Sequence, residues 1–403
     1  MKHVSARKAL AASLGVLGLV VAGGLQLEPA VAASAHIKMH GQRVCSAAVR
    51  VGEAACSAEQ LVAPDGKASP AATPPASGLT PTGLQSAYKL TGLKSGGRTV
   101  AIVDAYGYTN LERDLGVYRA QYGLPACTKA NGCLRIINQK GGTTLPSMNT
   151  GWAQEQALDV QTVSAACPDC KILMVQASSA SFANLGAAEN TAAKQPGVVA
   201  ISNSYGGGDA ADSSYGSYYN HPGIAITAST GDNGYQGASF PASSDYATAV
   251  GGTSLVADSS ARGWSETVWS GSGSGCSTVN AALAAAASFN TGCSKRAMAD
   301  VAAAADPGKG GMAIYYPTSK SSSTWGQFGG TSEASPIVAS VYALSGNTAG
   351  YANALPYGTP GGLFDVTGGS NGSCPAATPQ WCNAGIGWDG PTGLGTPNGT
   401  SAF

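Results

Sequence analysis

Short apolar runs alternate with stretches of helical character along this chain, and that alternation limits the possible folds more than any other feature. The apolar runs, interpreted as strands, lie at 98–104, 171–175 and 197–205, with a further run starting at 225. Helical patterns lie at 80–88, 110–122 and 182–193. Strands that alternate with helices predict a parallel sheet with helices on both faces. The sequence therefore predicts an α/β fold with a doubly wound parallel β-sheet.

A serine stands between a glycine-rich turn and a helix-like apolar run, in Phe328-Gly-Gly-Thr-Ser-Glu-Ala-Ser-Pro336. Glycines let the backbone turn sharply there. A helix N-terminus offers free N–H groups and a partial positive charge to a developing oxyanion. Ser332 is therefore a candidate nucleophile, and an ordinary loop-to-helix cap is the alternative interpretation.

A nucleophilic serine needs a base, and histidine is the usual one. The sequence holds four histidines, of which His3, His36 and His40 lie in or near an N-terminal leader. Only His221 lies in the body of the chain, before a Pro-Gly turn, where an exposed loop is the simpler interpretation. The base is therefore sought among the acidic residues.

The segment 151–166 predicts a helix that carries two acids on one face. Its apolar stripe consists of Leu158, Val160, Val163 and Ala166. Glu155 and Asp159 are four residues apart and share a helix face. Two such carboxylates with no basic residue between them raise one pKa and can share a proton. Two solvated acids on a surface helix are the alternative.

A third acid follows the apolar run that starts at 225. Asp232 stands between glycines at the C-terminal end of this predicted strand. Sites in parallel α/β sheets collect at that end of the strands. Asp232 is therefore a third candidate site residue, with a simple turn residue as the alternative.

Over about residues 78–403 the chain resembles the sedolisins, the serine-carboxyl peptidases. That family is marked by a Glu-x-x-x-Asp helix, a Ser-Gly-Asp loop and a Ser-Gly-Thr-Ser-x-x-x-Pro segment on a subtilisin-like fold. The corresponding residues here are Glu155 with Asp159, Thr230-Gly-Asp232, and Gly329-Gly-Thr-Ser332 with Pro336. Thr230 and Gly329 stand where the family usually has serine, and we expect both departures to be harmless.

The resemblance implies a role for each of four residues. Ser332 would be the nucleophile and Glu155 its general base. Asp159 would orient Glu155, and Asp232 would donate a hydrogen bond to the oxyanion. The implied reaction is hydrolysis of peptide bonds through an acyl-enzyme, at acid pH.

Other parts of the chain are predicted to surround these groups. Ser204, Tyr205, Gly206 and Gly207 are predicted to form one cleft wall, because this edge pairs with extended substrate backbone in subtilisin-like folds. The glycine-rich run 269–275 is predicted to form a second, mobile wall. Structural linkers are the alternative for both.

Asp104 ends the predicted strand 98–104, where subtilisins keep their catalytic aspartate. We interpret it as a supporting member of the proton network around the acidic pair. A loop-capping role is the alternative for this residue.

The C-terminal region carries an acidic, glycine-rich pattern of its own, in 361–366 and 385–389. Carboxylates and carbonyls on sharply turning backbone suit a hard cation with oxygen ligands. Acidic turns are common, and the resemblance strengthens the interpretation, since sedolisins bind one calcium with a paired pattern of this kind. It implies one structural Ca²⁺ in a C-terminal calcium-binding loop. Its ligands would be the carboxylates of Asp365 and Asp389 and the carbonyls of Val366, Gly385 and Gly387.

The N-terminal region predicts export. Residues 1–35 have a basic start, an apolar stretch and small-residue cleavage options, as a signal peptide does. The stretch is short for a membrane span, which is the alternative. Residues 36–77 are predicted to be a short pro-segment ending in a flexible Pro- and Ser-containing linker, and 78–403 the peptidase domain. Sedolisins usually carry a much longer propeptide, so the sequence leaves open how latency is kept.

Ten cysteines in an exported chain predict disulfides. They occur as close neighbours, and we expect neighbour-to-neighbour bridges that staple local loops. The expected pairs are Cys45–Cys56, Cys127–Cys133, Cys167–Cys170, Cys276–Cys293 and Cys374–Cys382. The Cys-x-x-Cys of the third pair could instead be a redox or zinc motif, but export and the lack of a second such motif favour a structural bridge.

Composition limits the partners. Charged residues make up 11% of the chain and the formal net charge is zero, which leaves no electrostatic footprint for nucleic acid or anionic membrane. We therefore expect no nucleic-acid partner and no membrane contact after signal removal. The resemblance to the sedolisins implies protein or peptide substrates, the signal segment implies a secreted protein, and a monomer is the default expectation.

Three functional classes follow. The leading one is a secreted, acid-acting serine-type endopeptidase. The second is a conventional subtilisin-like peptidase using Asp104, His221 and Ser332, which is disfavoured because no histidine stands in an early His-Gly-Thr setting. The third is a non-catalytic secreted binding protein on a peptidase scaffold, disfavoured because all four chemical positions are filled.

Overall fold

A computed structural model describes residues 38–47, 50–68, 70–347 and 349–403, so the predicted signal peptide at 1–35 lies outside the described residues. The strands are β1 His40–Arg43, β2 Ala55–Cys56, β3 Glu59–Val62, β4 Thr99–Ala105, β5 Leu134–Asn138, β6 Lys171–Ala177, β7 Val198–Asn203, β8 Tyr205–Gly208, β9 Ala225–Ser229, β10 Ser239–Phe240, β11 Thr248–Ala257, β12 Trp264–Val268, β13 Gly275–Cys276, β14 Ala297–Met298, β15 Val301–Ala304, β16 Met312–Pro317, β17 Ser323–Gly329, β18 Leu363–Phe364 and β19 Thr396–Pro397. The α-helices are α1 Pro81–Ala87, α2 Leu111–Gln121, α3 Thr150–Ala166, α4 Phe182–Ala193, α5 Asp212–Tyr215, α6 Thr331–Ser345 and α7 Leu355–Gly358.

An eight-stranded sheet forms the centre of the structure. Its order is β12-β11-β9-β7-β4-β6-β5, and β15 also pairs with β11. All neighbours run parallel except β12, which runs antiparallel to β11. The predicted strands are β4, β6, β7 and β9, which are adjacent in this sheet. The predicted doubly wound α/β fold is therefore confirmed.

Both faces of the sheet are buried, as a parallel sheet between helices requires. Side chains alternate along each strand, so Val100 and Ile102 of β4 join one apolar cluster while Ala101 and Val103 join the other. Helices α1, α2, α3 and α6 contribute to the first cluster and α4 to the second. The result is a layer of helices on each side of the sheet.

Helices α3 and α6 are the most deeply buried. The sequence predicts an apolar stripe on α3, yet every residue from Glu155 to Ala166 is buried. The difference arises because α3 contacts α1, α2, α6 and the hairpin β16–β17 as well as the sheet. Helix α6 begins at Thr331, ahead of the apolar run that predicted it, so Ser332 lies in its first turn.

Two small antiparallel sheets flank the central one. The first has the order β1-β3-β17-β16 and the second β10-β8-β2. Strands β1, β2 and β3 all fall in the segment 36–77, where the sequence predicts a short pro-segment. Strand β2 pairs with β8 and β3 pairs with β17, both from the body of the chain, while β1 pairs with β3.

All five predicted disulfides are present and leave no free cysteine. Cys167 and Cys170 are bonded to each other, as the structural interpretation of this Cys-x-x-Cys requires. Among the described residues, no helix is long and apolar enough to cross a membrane.

Candidate active site

Ser332 lies at the N-terminus of α6, directly after a glycine with a left-handed backbone. Gly330 has φ of 96°, a conformation that residues with a Cβ rarely adopt. Pro336 lies inside the helix and has no N–H, so the carbonyl of Ser332 lacks the i+4 partner that a helix normally supplies. The Ser332 hydroxyl is fully buried and donates to the Ser204 carbonyl oxygen, 3.3 Å away. The Gly-Thr-Ser-x-x-x-Pro pattern thus places the serine at a helix start.

Glu155 on α3 faces Ser332. The carboxyl group is completely buried, and burial followed by the negative charge of Asp159 raises its pKa well above the usual range. The Ser332 hydroxyl and the Ala58 N–H both face this carboxyl and lower its pKa, although neither forms a well-aligned hydrogen bond.

Asp159 and Asp104 form a second pair of buried acids behind Glu155. Burial raises the pKa of Asp159, while hydrogen bonds from Ser204 and Asp104 oppose the rise. Burial, then the charges of Asp159 and Glu155, also raises the pKa of Asp104. Neither oxygen of Asp104 nor Oδ2 of Asp159 has an aligned hydrogen-bond partner among the described residues. Burial of two such neighbouring acids favours the protonated state of the pair.

Ser204 connects this acid pair to the nucleophile. Its hydroxyl lies 2.8 Å from Asp159 Oδ1 and 3.3 Å from the Ser332 carbonyl oxygen. A hydroxyl has one proton, so the shorter contact, to Asp159, is the hydrogen bond. Ser204 thus contacts both Ser332 and Asp159, which explains why the residue before β8 must be small and polar.

Asp232 lies on the opposite side of the Ser332 helix start. Its Oδ1 accepts hydrogen bonds from Thr331 N and Thr331 Oγ1, both at 2.8 Å. Its Oδ2 is buried and has no partner among the described residues. Burial raises the pKa of Asp232 to about 6, although the Thr331 bonds and the charge of Arg43 oppose the rise. One oxygen is thus fixed by α6, and the other is free to donate when protonated.

Glu59 and Arg43 lie near Asp232, and the sequence predicted neither as a site residue. Burial, then the charge of Asp232, raises the pKa of Glu59 to about 8, and Arg43 opposes this rise. Arg43 on β1 and Glu59 on β3 lie opposite each other in the register of these strands. Both fall in the segment predicted to be a leader, and nothing in the local sequence signals that it folds back onto the site.

The predicted cleft walls both lie beside Asp232 and β8. Gly206 and Gly207 are on β8, and together with the loop after β9 they line a cavity of about 290 Å³. Gly273, in the predicted mobile wall, donates to the Gly231 carbonyl oxygen at 2.7 Å. Residues 272–275 are buried, so this wall is packed against the Asp232 loop.

His221 makes its contacts elsewhere. Its Nε2 lies 2.9 Å from the Tyr218 carbonyl oxygen. Burial lowers its pKa, and the charge of Lys194 lowers it further. The groups that perturb the pKa values of Glu155, Asp159 and Asp104 do not include this histidine.

The predicted calcium ligands converge in one loop region after β18. Asp365 Oδ2 accepts from Gly387 N at 2.9 Å, and Asp389 Oδ2 accepts from Gly385 N at 3.2 Å. Asp389 is fully buried, and the charge of Asp365 contributes to the rise of its pKa to about 7, after burial. The two carboxylates are thus close to each other.

All the candidate metal ligands at this site are oxygen atoms. No hydrogen bond between described residues uses the carbonyl oxygens of Val366, Gly385 or Gly387, so they remain available as ligands. Within the described part of the chain, three or more His, Cys, Asp or Glu side chains nowhere form a metal-binding group. Two carboxylates with free carbonyls fit a hard cation such as Ca²⁺.

Comparison with known proteins agrees with this architecture, although no family model matches the sequence. The chain is 30% identical over 360 residues to kumamolisin from Bacillus sp. (strain MN-32), covering 79% of this chain and 62% of that protein. It is 32% identical over 176 residues to sedolisin from Pseudomonas sp. (strain 101), covering 39% of this chain and 28% of that protein. The chain thus spans less than two thirds of the length of these curated relatives.

Solved structures give the same result. A structure of Pseudomonas sedolisin, a serine-carboxyl proteinase complexed with two molecules of pseudo-iodotyrostatin, matches with a TM-score of 0.67 and 25% identity, over 80% of this chain and 96% of that one. Sphericase matches with a TM-score of 0.52 and 18% identity, over 80% and 99%, which bears on the fold alone. The fold is the subtilisin-like α/β fold. In sequence and in fold the chain is similar to the sedolisin family of serine-carboxyl peptidases.

Proposed function

We propose that this protein is a serine-type endopeptidase that hydrolyses peptide bonds in proteins at acid pH through Ser332, Glu155 and Asp159. The observation that carries the proposal is the convergence of Ser332 with two buried acids on one side and Asp232 on the other. Similarity to kumamolisin and sedolisin supports the same activity. Within the described residues, this convergence involves no histidine.

The geometry supports a division of labour among these groups. Glu155 faces the Ser332 hydroxyl and can accept its proton during attack on a substrate carbonyl. Asp159 accepts a hydrogen bond from Ser204 and, with its buried neighbour Asp104, can hold a proton next to Glu155. Protonated Asp232 can donate from Oδ2 to the oxyanion. The acyl-enzyme on Ser332 is then hydrolysed by water, with Glu155 again moving the proton.

A digestion experiment tests this function. The purified protein, incubated with a denatured protein substrate from pH 2 to 8, should yield internal peptides with an optimum on the acid side of about pH 6, because Asp232 donates only while protonated and burial raises its pKa to about 6. The peptides are identified by sequencing. Ser332→Ala is the matched control and should give no peptides. A wild-type optimum at pH 8 contradicts both the carboxyl base and the protonated donor.

We also propose that the protein is secreted and acts outside the cell. Five disulfides support this, because such bonds persist in oxidising compartments. The sparse charge of the chain supports it too, since few groups change ionisation over a wide pH range. Its substrates would then be extracellular proteins or peptides.

We further propose one structural Ca²⁺ in the loop region of Asp365 and Asp389, with the carbonyls of Val366, Gly385 and Gly387. The oxygen-only donor set and the closeness of the two carboxylates support the ion, which would offset their mutual repulsion. When bound, the ion would neutralise the negative charges of the Asp365 and Asp389 carboxylates. The loop lies apart from the residues proposed for catalysis.

Removal of calcium is expected to lower thermal stability without altering the catalytic groups. An ion that binds only the folded state contributes about 2.7 kcal/mol when its free concentration is a hundred times its Kd. Calorimetry with and without a chelator measures the resulting change in Tm. Asp389→Asn should remove the sensitivity to chelator, whereas Asp65→Asn, in an exposed turn, should keep it. An unchanged wild-type Tm in excess chelator eliminates the ion from this proposal.

A further inference from the structure

The Asp232 loop, residues 230–237, is joined along its length to the glycine-rich segment 269–275. Three backbone N–H groups donate across this contact: Gly273 to the Gly231 carbonyl oxygen at 2.7 Å, Gly234 to the Gly271 carbonyl oxygen at 2.9 Å, and Gly237 to the Ser274 carbonyl oxygen at 3.3 Å. Tyr235 and Ser274 also form a parallel β-bridge. The position of Asp232 therefore depends on the position of the segment 269–275.

The other side of the Asp232 loop is held by α6. Thr331 Oγ1 accepts a hydrogen bond from Gly231 N at 3.0 Å and donates to Asp232 Oδ1 at 2.8 Å. On the side of the segment 269–275 the packing is just as close, because a Cβ on Gly273 would collide with the Thr230 carbonyl oxygen. The loop that carries the proposed oxyanion donor thus lies between α6 and this segment.

Asn371, in the C-terminal region between β18 and β19, contacts both the Asp232 loop and the segment beside it. Its side-chain NH₂ donates to the Ser272 carbonyl oxygen at 2.6 Å and to Ser274 Oγ at 2.8 Å. Its backbone carbonyl oxygen accepts from Tyr235 N at 3.0 Å. Asn371 is buried, so water does not compete strongly for these bonds. One residue therefore ties the two segments to each other.

The backbone around Asn371 is itself well anchored. Asn371 N donates to the Cys382 carbonyl oxygen at 3.0 Å, inside the ring closed by the Cys374–Cys382 disulfide at its far side. Ser274 Oγ donates to the Trp381 carbonyl oxygen at 2.7 Å, and the Trp381 ring stacks on Tyr235 with centroids 6.5 Å apart. Asn371 is thus a fixed support for the Asp232 loop.

We propose that Asn371 is a positioning residue for the proposed hydrolysis, which holds Asp232 where its Oδ2 can donate to the oxyanion. The inference rests on the proposed peptidase function and adds a residue that does not touch the reacting atoms. Without the Asn371 side chain, the Ser272 carbonyl loses a donor and the segment 269–275 loses a support. The Asp232 loop would then move away from α6, and water would reach Asp232.

The charged and titratable groups that face Asp232 are Arg43 on β1, Glu59 on β3 and Glu155 on α3. No hydrogen bond among the described residues joins any of these three to Asn371. Asn371 is also uncharged, so its replacement removes no Coulomb interaction. A change in the pKa of Asp232 on replacement of Asn371 would therefore report a change in the position and burial of the loop.

Asn371→Ala is expected to lower kcat on a peptide substrate about 10-fold, because a donor that is misplaced by a fraction of an ångström stabilises the oxyanion less. The fall in kcat with rising pH should also occur at a lower pH than in the wild type. The reason is that a less buried Asp232 has a pKa closer to its ordinary value, about 4, and loses its proton earlier. The measurement is kcat from pH 2 to 8 with Ca²⁺ in excess.

Asn353 offers a matched control for the loss of a buried asparagine. Its NH₂ also donates to two groups, the carbonyl oxygens of Asp245 and Ala247, and neither belongs to the Asp232 loop or to the segment 269–275. Asn353→Ala should lower Tm, as Asn371→Ala should, but keep the wild-type pH dependence of kcat. Ser274→Ala removes one of the two Asn371 bonds and should shift the pH dependence in the same direction by less, which keeps the test available if Asn371→Ala does not fold.

Two further measurements connect the effect to Asp232. In the Ser332→Ala background, carbon-13 NMR of the Asp232 carboxyl carbon gives its pKa, which Asn371→Ala should lower. Added to Asp232→Asn, the Asn371→Ala change should lower kcat without moving the pH at which kcat falls, since an asparagine does not titrate.

The outcomes separate this inference from the function on which it rests. An active protein in which Asn371→Ala and Ser274→Ala both keep the wild-type pH dependence overturns the positioning role alone. A shift of equal size in Asn353→Ala overturns it as well, because the effect would then be one of stability. A folded wild-type protein that hydrolyses no peptide overturns the proposed peptidase function, and this inference with it.

Discussion

Replacement of Glu155 by glutamine is expected to lower the rate of peptide hydrolysis by at least about 10²–10⁴-fold, the usual contribution of a general base. Glutamine keeps the shape of the side chain but cannot accept the Ser332 proton. The measurement is kcat/KM on a peptide substrate at the pH optimum.

The fold of this variant should survive, and the direction of its stability change is itself informative. A raised Glu155 pKa means that the folded state holds its proton more tightly than the unfolded state does. This carboxyl therefore stabilises the fold below about pH 4.5, its ordinary value, and the contribution is lost as pH rises towards the folded pKa. Glu155→Gln should accordingly show an unchanged or higher Tm at pH 7.

His221→Ala is the matched control for the base. This histidine contacts the Tyr218 carbonyl oxygen, and its removal should leave kcat/KM within a few-fold of wild type. The reverse result, with activity lost in the histidine variant and retained in Glu155→Gln, would replace the carboxyl base by a conventional Ser-His-Asp mechanism.

Replacement of Asp232 is expected to have the second-largest effect. Asp232→Ala removes an oxyanion donor, which typically lowers kcat by about 10²–10³-fold. Asp232→Asn is more specific, because its Oδ1 can still accept both Thr331 hydrogen bonds while its NH₂ replaces Oδ2 as a donor. The readout is the pH dependence of kcat for both variants and the wild type.

The sign of the pH effect follows from the pKa of Asp232, raised by burial to about 6. The group donates only when protonated, so wild-type kcat should fall as pH rises through about 6. The asparagine donates at every pH, so the fall in kcat of Asp232→Asn should occur at a higher pH than in the wild type, even if its maximum rate is lower. Asp258→Asn, in an exposed loop, should keep the wild-type profile. If kcat of Asp232→Asn falls at the same pH as in the wild type, a group other than Asp232 causes the fall.

Local sequence patterns were sufficient to predict the central sheet and the residues that converge on the site. The Ser-x-x-x-Pro pattern places Ser332 in the first turn of α6, and the four-residue spacing places Glu155 and Asp159 on one face of α3. Asp104 lies near the C-terminal end of β4 and Asp232 follows β9, and the apolar runs predicted both strands. These successes share a cause, since each depends on contacts close in sequence or on the common edge of parallel strands. Their catalytic roles remain predictions.

The pairing of the N-terminal strands β1, β2 and β3 could not be predicted in this way. Strand β2 has two residues and β3 four, and their partners on β8 and β17 lie about 150 and 270 residues further along the chain. Such pairing depends on surfaces that exist only after the rest has folded. Glu59 and Arg43 were missed for the same reason. The burial of α3 on all sides was likewise missed, because periodicity within one helix does not reveal how many neighbours cover it.

The disulfides have a consequence for the covalent connectivity of the molecule. All ten cysteines are described, and no bond joins residues more than 17 positions apart, so the protein is covalently a string of small closed rings. Such short rings restrict the unfolded chain less than long ones do. No disulfide spans residues 57–126, between the first ring and the second. A single backbone break there would therefore leave two polypeptides that only strand pairing and packing hold together.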